Sequence, residues 1–187
     1  MRGYFLTIWN ILDPIYYRFT RLSYLLDCHS SDNIFRVRLT RYKGKEVTLS
    51  DGTVIKKNDR LVKIHLHNVR LLTDLRHINT DIVKARIIYQ SVKRSLPGIE
   101  RYISNHKDSQ DIKGIIGITS LNRACSRLGF DVKDISHPFY KWLKWATFLP
   151  IIILSSADFL NNKKNVLKAS PSYLFMSKEK LSKMYRN

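Results

Sequence analysis

The stretch Asp59-Arg60-Leu61-Val62-Lys63-Ile64-His65-Leu66-His67-Asn68 decides how this chain folds. Val62, Ile64 and Leu66 alternate with Lys63, His65 and His67, and a period of two puts each set on its own face of a β-strand. One face is apolar and the other basic, the pattern of a half-buried strand. A second strand of the same kind lies upstream, where Phe35, Val37 and Leu39 alternate with Arg36, Arg38 and Thr40. Between them, Glu46 to Ser50 and Thr53 to Lys56 flank Asp51-Gly52, a pair that suits a two-residue hairpin turn because both positions accept positive φ. The expected core is therefore a small, mainly antiparallel sheet.

Helical spacing surrounds this sheet. Before it, Phe5, Ile8, Trp9, Leu12, Ile15, Phe19, Leu22 and Leu26 recur at intervals of three and four, interrupted at Asp13-Pro14, which predicts a kinked helix or two pieces over Tyr4–Leu26. After it, the pattern predicts a helix over Val69–Arg76, a longer one from an N-cap at Thr80 to Ser95 stopped by Pro97-Gly98, and a third over Ile99–Asn105. Gly114–Ile118 reads as a strand. Thr119 or Ser120 opens a helix ending at Leu128, with Gly129 as the left-handed residue that closes it. Asp131–Ile135 is a further strand, Pro138–Leu149 an aromatic helix, Tyr173–Met176 a closing strand, and Ser177 caps a Lys-rich final helix. The fold class is α+β, a single domain over 1–187 with a helical lead over 1–33 and an α+β core over 34–187.

The 187 residues carry 33 Lys and Arg against 15 Asp and Glu, a formal net charge of +18. Charge of that size opposes compaction and points to an anionic partner, with a basic surface kept for solubility as the plainer alternative. It is carried on stretches with apolar periodicity, so it belongs to folded faces and not to a basic tail. Cys28 and Cys125 are far apart and form no CxxC pair, which removes a zinc ribbon or disulfide framework and suits a reducing compartment. The start, Met1 to Trp9, lacks the apolar core and cleavage site of a secretory signal, and the most apolar run, Ala146 to Leu154, contains Pro150 and is half the ~20 residues of a spanning helix. A cytoplasmic protein, with peripheral contact at the inner face of the membrane, is the expectation.

Three features offer chemistry. His65 and His67 share a strand face, close enough to contact one anion or metal ion. A zinc centre needs a third protein ligand, and His29, His77, His106, His137 and Asp59 are scattered, so no metal and no cofactor are expected. The plainer alternative is one packed and one exposed histidine. Arg36, Arg38, Arg41, Lys63 and His67 form the expected anion-binding set, because the guanidinium fork matches phosphate. Phe139–Leu149 interleaves Trp, Tyr and Lys as interfacial helices do, and fits a core helix with a wet Lys face equally well. Cys125, between Arg123 and Arg127, reads either as an activated thiol or as a small core residue. No Gly-rich phosphate loop, GxSxG or HExxH is present, and no recognised nucleic-acid module accompanies the basic residues.

Lys57 through Asn68, then Gly117-Ile118-Thr119 with Arg123-Ala124 and Leu128-Gly129-Phe130, and finally Tyr173 through Leu181, resemble the YkoP-like domain family over about Phe35 to Tyr185. Members of that family stand alone or are joined to polysaccharide deacetylase domains in Gram-positive bacteria, so the resemblance implies a cell-envelope context. It implies no catalytic residues, and this chain lacks a deacetylase domain. The leading expectation is an accessory binding domain of envelope or spore-polysaccharide metabolism. It would contact an anionic glycan, lipid phosphate or membrane surface, with a polysaccharide-processing enzyme as a further partner. The competing expectation is an enzyme acting on an envelope precursor, with His65 as acid, base or ligand, Asn68 orienting the substrate and Asp59 as a further catalytic candidate. Nonspecific nucleic-acid binding is the weaker third.

Overall fold

The computed structural model describes residues 23–24, 33–66, 70–71, 74–75, 77–78, 80–119, 125–135 and 171–186. In chain order the strands are β1 (Ser23–Tyr24), β2 (Phe35–Arg41), β3 (Val47–Thr48), β4 (Val54–Ile55), β5 (Arg60–Leu66), β6 (Ile112–Thr119), β7 (Asp131–Asp134) and β8 (Ser172–Ser177). The helices are α1 (Asp81–Ser104) and α2 (Lys178–Tyr185), with 3-10 turns at Ser109–Asp111 and Ser126–Leu128. Six strands make one sheet in the order β1-β2-β5-β6-β8-β7, while β3 and β4 pair only with each other. The sheet is mixed and mainly antiparallel: β5 and β6 run parallel because α1 crosses over between them, and the other neighbours are antiparallel.

Alternation assigns the faces. Phe35, Val37, Val62, Ile64, Ile115, Leu174 and Met176 pack on Leu96, Ile99 and Ile103 of α1 and on Leu181 and Tyr185 of α2, and this layer is the main core. The opposite face holds a smaller core in which Leu61, Ile116 and Phe175 meet Tyr42, Leu49 and Ile55 of the β3–β4 region. Glu100, only 5% exposed, fastens the two helices together. Its Oε1 accepts hydrogen bonds from Ser104 Oγ at 2.8 Å and Ser182 Oγ at 3.3 Å, with Arg186 Nε at 3.7 Å. Tyr185 Oη donates to the Leu128 carbonyl at 2.9 Å and holds α2 to the turn before β7.

Several expectations are corrected. Pro97 does not stop a helix: α1 runs from Asp81 to Ser104 with Pro97 inside it. A proline there costs about 3 kcal/mol, yet full burial of each large aliphatic side chain contributes about 1.5–3 kcal/mol. Leu96, Ile99 and Ile103 are 0%, 0% and 1% exposed, so tertiary burial outweighs the local penalty. Ser23 and Tyr24, expected as the end of a helix, are strand residues paired with Val37 and Arg36. The rest of the Tyr4–Leu26 helix and the Pro138–Leu149 helix lie outside the described residues. The β3–β4 connection is longer than a two-residue turn. Leu49 N–H bonds the Thr53 carbonyl at 2.9 Å and Gly52 N–H the Leu49 carbonyl at 3.1 Å, so Gly52 alone, at φ 85°, takes the left-handed position of a three-residue loop. The strands after residue 110 lie within a residue or two of their expected limits, and Ser177 Oγ accepts from Lys180 N–H at 2.9 Å as the cap of α2.

Candidate functional site

β2 and β5 pair in a register that sets Arg36 opposite His65 and Arg38 opposite Lys63. Side chains so opposed have Cβ atoms about 4.5–5.5 Å apart, and two residues along a strand cover about 7 Å. Four basic side chains thus stand in one block, on the face that also carries Leu61 and Thr40 and points away from α1. The β3–β4 hairpin covers one end of this face, where Tyr42 meets Phe175 edge-on at 5.6 Å. The basic block occupies the other end. Ile118 and Tyr173, paired across β6 and β8, continue the same face beyond it, and Tyr173 lies against Phe175 at 5.8 Å.

Arg36 is 2% exposed, while Arg38, Lys63 and His65 are half-buried. Each of the four has an interaction partner within the protein. Like charges opposed across a ladder repel, and the repulsion grows as they leave bulk water. A guanidinium fork matches two oxygens of a carboxylate or phosphate, so the chemistry of this face is that of an anion site.

Of the other expected site residues, Asp59 and Arg41 do not join this block. Asp59 opens β5 at the end remote from His65, about 20 Å along the strand. Its Oδ2 accepts the Lys56 N–H at 2.7 Å and closes a turn in which Asn58 takes φ 73°. Arg41 lies on the opposite face, exposed and opposite Arg60. His67 and Asn68 lie outside the described residues, as does Phe139–Leu149. His106 belongs to the Arg60 end, where Arg60 pairs with Asp108 at 3.2 Å and Asp111 at 3.1 Å. Its Nδ1 accepts the Asp108 N–H at 3.0 Å. Among the described residues no three His, Cys, Asp or Glu side chains form a group that could hold a metal ion, and no helix is long and apolar enough to cross a membrane. Burial pushes the Cys125 thiol up to about 11, and it packs at the margin of the main core. The activated-thiol reading therefore gives way to the packing one.

A second polar cluster was not anticipated. The Asp51 carboxylate accepts from the Ser177 hydroxyl and, at 3.0 Å, from Thr53 N–H. Lys180 Nζ donates to Ser50 Oγ at 3.0 Å and stands 3.8 Å from Asp131 Oδ2. Partial burial pushes the Asp51 carboxyl up, but the Ser177 hydroxyl, the Thr53 amide and hydroxyl, and the Lys180 charge together bring it below the ordinary aspartate value. Ser50, Asp51, Thr53 and Lys180 line a shallow groove of about 520 Å³ with Glu179, Lys183 and Met184. Because the donors and acceptors are spent on one another, the cluster clamps the hairpin to α2. The sequence signals were the Ser177 cap and the Asp-Gly pair; their meeting across 126 residues had none.

A family model described as the YkoP domain matches residues 2–185. The "Uncharacterized protein YkoP" of Bacillus subtilis (strain 168) is 51% identical over 188 residues, which cover 100% of this chain and 98% of that protein. No solved structure matches the chain. A family match from residue 2 to residue 185, together with 51% identity from end to end, establishes that this chain belongs to the YkoP domain family.

Proposed function

We propose that the chain is an accessory binding domain of bacterial cell-envelope or spore-polysaccharide metabolism that holds an anionic group, the carboxylate or phosphate of a glycan, on the basic face of β2 and β5. The observation that carries this reading is the register itself, which opposes Arg36 to His65 and Arg38 to Lys63 on one face, with Arg36 buried and the other three half-buried. Half-burial suits a discrete anionic group better than a flat surface, since it strengthens each charge-assisted contact. The envelope context is supported by the resemblance to a family whose members also occur joined to polysaccharide deacetylase domains. The domain works in the cytoplasm, at or near the inner face of the membrane.

Calorimetric titration of the full chain with poly(glycerol phosphate), polyglucuronate and neutral dextran tests the reading. The two polyanions bind at low salt and weaken steeply towards physiological salt, whereas dextran does not bind. Replacing Arg38 and Lys63 together by Gln lowers the affinity at least tenfold, because a hydrogen bond to a charged group contributes about 1.5–3 kcal/mol. Equal affinity of the double variant and the parent would overturn the reading. Release of a product from an envelope precursor, abolished by His65→Ala while binding persists, would replace it with the enzymatic one in which Asn68 orients the substrate.

A further inference from the structure

A second basic surface lies on the other side of the molecule. α1 buries Leu96, Ile99 and Ile103 in the main core and turns another face outward. On that face Ile82, Val83, Arg86, Lys93, Arg94 and Arg101 are all exposed. At about 100° per residue these six positions fall within an arc of about 120°, spread over about 29 Å of helix. The sole acidic residue from Ile82 to Arg101 is Glu100, and it is buried against α2. Arg86, Lys93 and Arg94 have no ion-pair partner among the described residues. Exposed as they are, these three carry their positive charge into solvent.

Its leading end is apolar. Ile82 is 81% exposed and Val83 44%, and they are two of three large hydrophobic side chains exposed among the described residues. A solvated polyanion offers nothing to cover them. A bilayer with anionic headgroups does: the cations meet phosphates at the surface while the two aliphatic side chains enter the acyl boundary.

We infer that the outer face of α1 seats the domain on an anionic lipid bilayer. Arg86, Lys93 and Arg94 supply the attraction, and Ile82 and Val83 the insertion. This surface is separate from the basic face of β2 and β5, which points away from α1. The inference stands whether or not that face binds a ligand.

Sedimentation of the full chain with vesicles of phosphatidylglycerol and phosphatidylcholine, against phosphatidylcholine alone, tests it. The chain binds only the anionic vesicles. Arg86→Gln, Lys93→Gln and Arg94→Gln combined lower the affinity about a hundredfold, since each cation near such a surface contributes about 1 kcal/mol. Ile82→Ser with Val83→Ser removes the binding that survives added salt, and Arg38→Gln with Lys63→Gln leaves vesicle binding intact. All substitutions on α1 are at exposed positions, and an unchanged circular dichroism spectrum verifies each fold. The inference is overturned if the parent ignores anionic vesicles at low salt or if the triple variant binds like the parent. It is equally overturned if the Ile82 and Val83 substitutions spare the salt-resistant binding, or if the β2–β5 variant alone abolishes it.

Discussion

At the scale of single residues, glycines separate two kinds of constraint. A Cβ built on Gly114 would lie 2.3 Å from the Met176 carbonyl oxygen, inside the β6–β8 ladder, where neither backbone can retreat without breaking pairing. A Cβ on Gly52 would meet nothing within 4 Å, so only its φ of 85° resists substitution. Gly114→Ala is therefore expected to cost about 3 kcal/mol or more, in the range of overpacked cores, and Gly52→Ala only about 1–2 kcal/mol, the left-handed penalty of an L-residue. Urea denaturation of both variants measures the difference; equal losses would show that β8 yields at Met176. Asp-Gly announced the turn in the sequence. Nothing local announced the need at Gly114, since the atom it avoids is 62 residues away.

At the scale of elements, alternation and capping made most of the sheet and α2 legible, while pairing between distant segments was not. The basic faces of β2 and β5 could be read strand by strand, but the registers Arg36 to His65 and Arg38 to Lys63 depend on how two strands slide, and so on the whole core. Pro97 misled for the same reason: its local penalty is visible in the sequence, and the burial of Leu96 and Ile99 that overrides it is tertiary. The contact of hairpin with helix yields a test. Asp51 has a folded carboxyl below its unfolded value of about 3.9, so it stabilises the fold above that pH, and the contribution disappears as pH falls through the lower, folded value. Asp51→Asn is expected to lower stability at neutral pH and to flatten the acid limb of a stability-against-pH curve below about pH 4. Parallel curves for parent and variant would place the acid sensitivity elsewhere.

At the scale of the whole molecule, electrostatic self-repulsion weighs most. A net charge of +18 over the chain is an excess that internal pairs such as Arg60 with Asp108 and Asp111, Lys180 with Asp131 and Arg186 with Glu100 cannot cancel, because each pair consumes one charge of each sign. The partly exposed pairs of Arg60 contribute about 0–1 kcal/mol each, and the pairs of Lys180 and Arg186 are long, at 3.8 and 3.7 Å, so salt removes little by screening them. It removes more by screening the repulsion, because the Debye length falls from about 30 Å at 0.01 M to about 8 Å at 0.15 M, below the separation of the basic β2–β5 face from the outer face of α1. Stability should thus rise with sodium chloride, where a fold held by surface ion pairs would lose it. At low salt a polyanion that binds the native chain adds a second increment by mass action, about 2.7 kcal/mol at a hundredfold excess over Kd. Thermal melts across a salt series, with and without poly(glycerol phosphate), separate the two effects. The expected result is a Tm that climbs with salt alone and a polymer effect that shrinks as salt increases, since the same screening weakens the binding. A Tm that falls with salt would mean that the ion pairs outweigh the excess charge and that the basic surfaces are already neutralised within the fold.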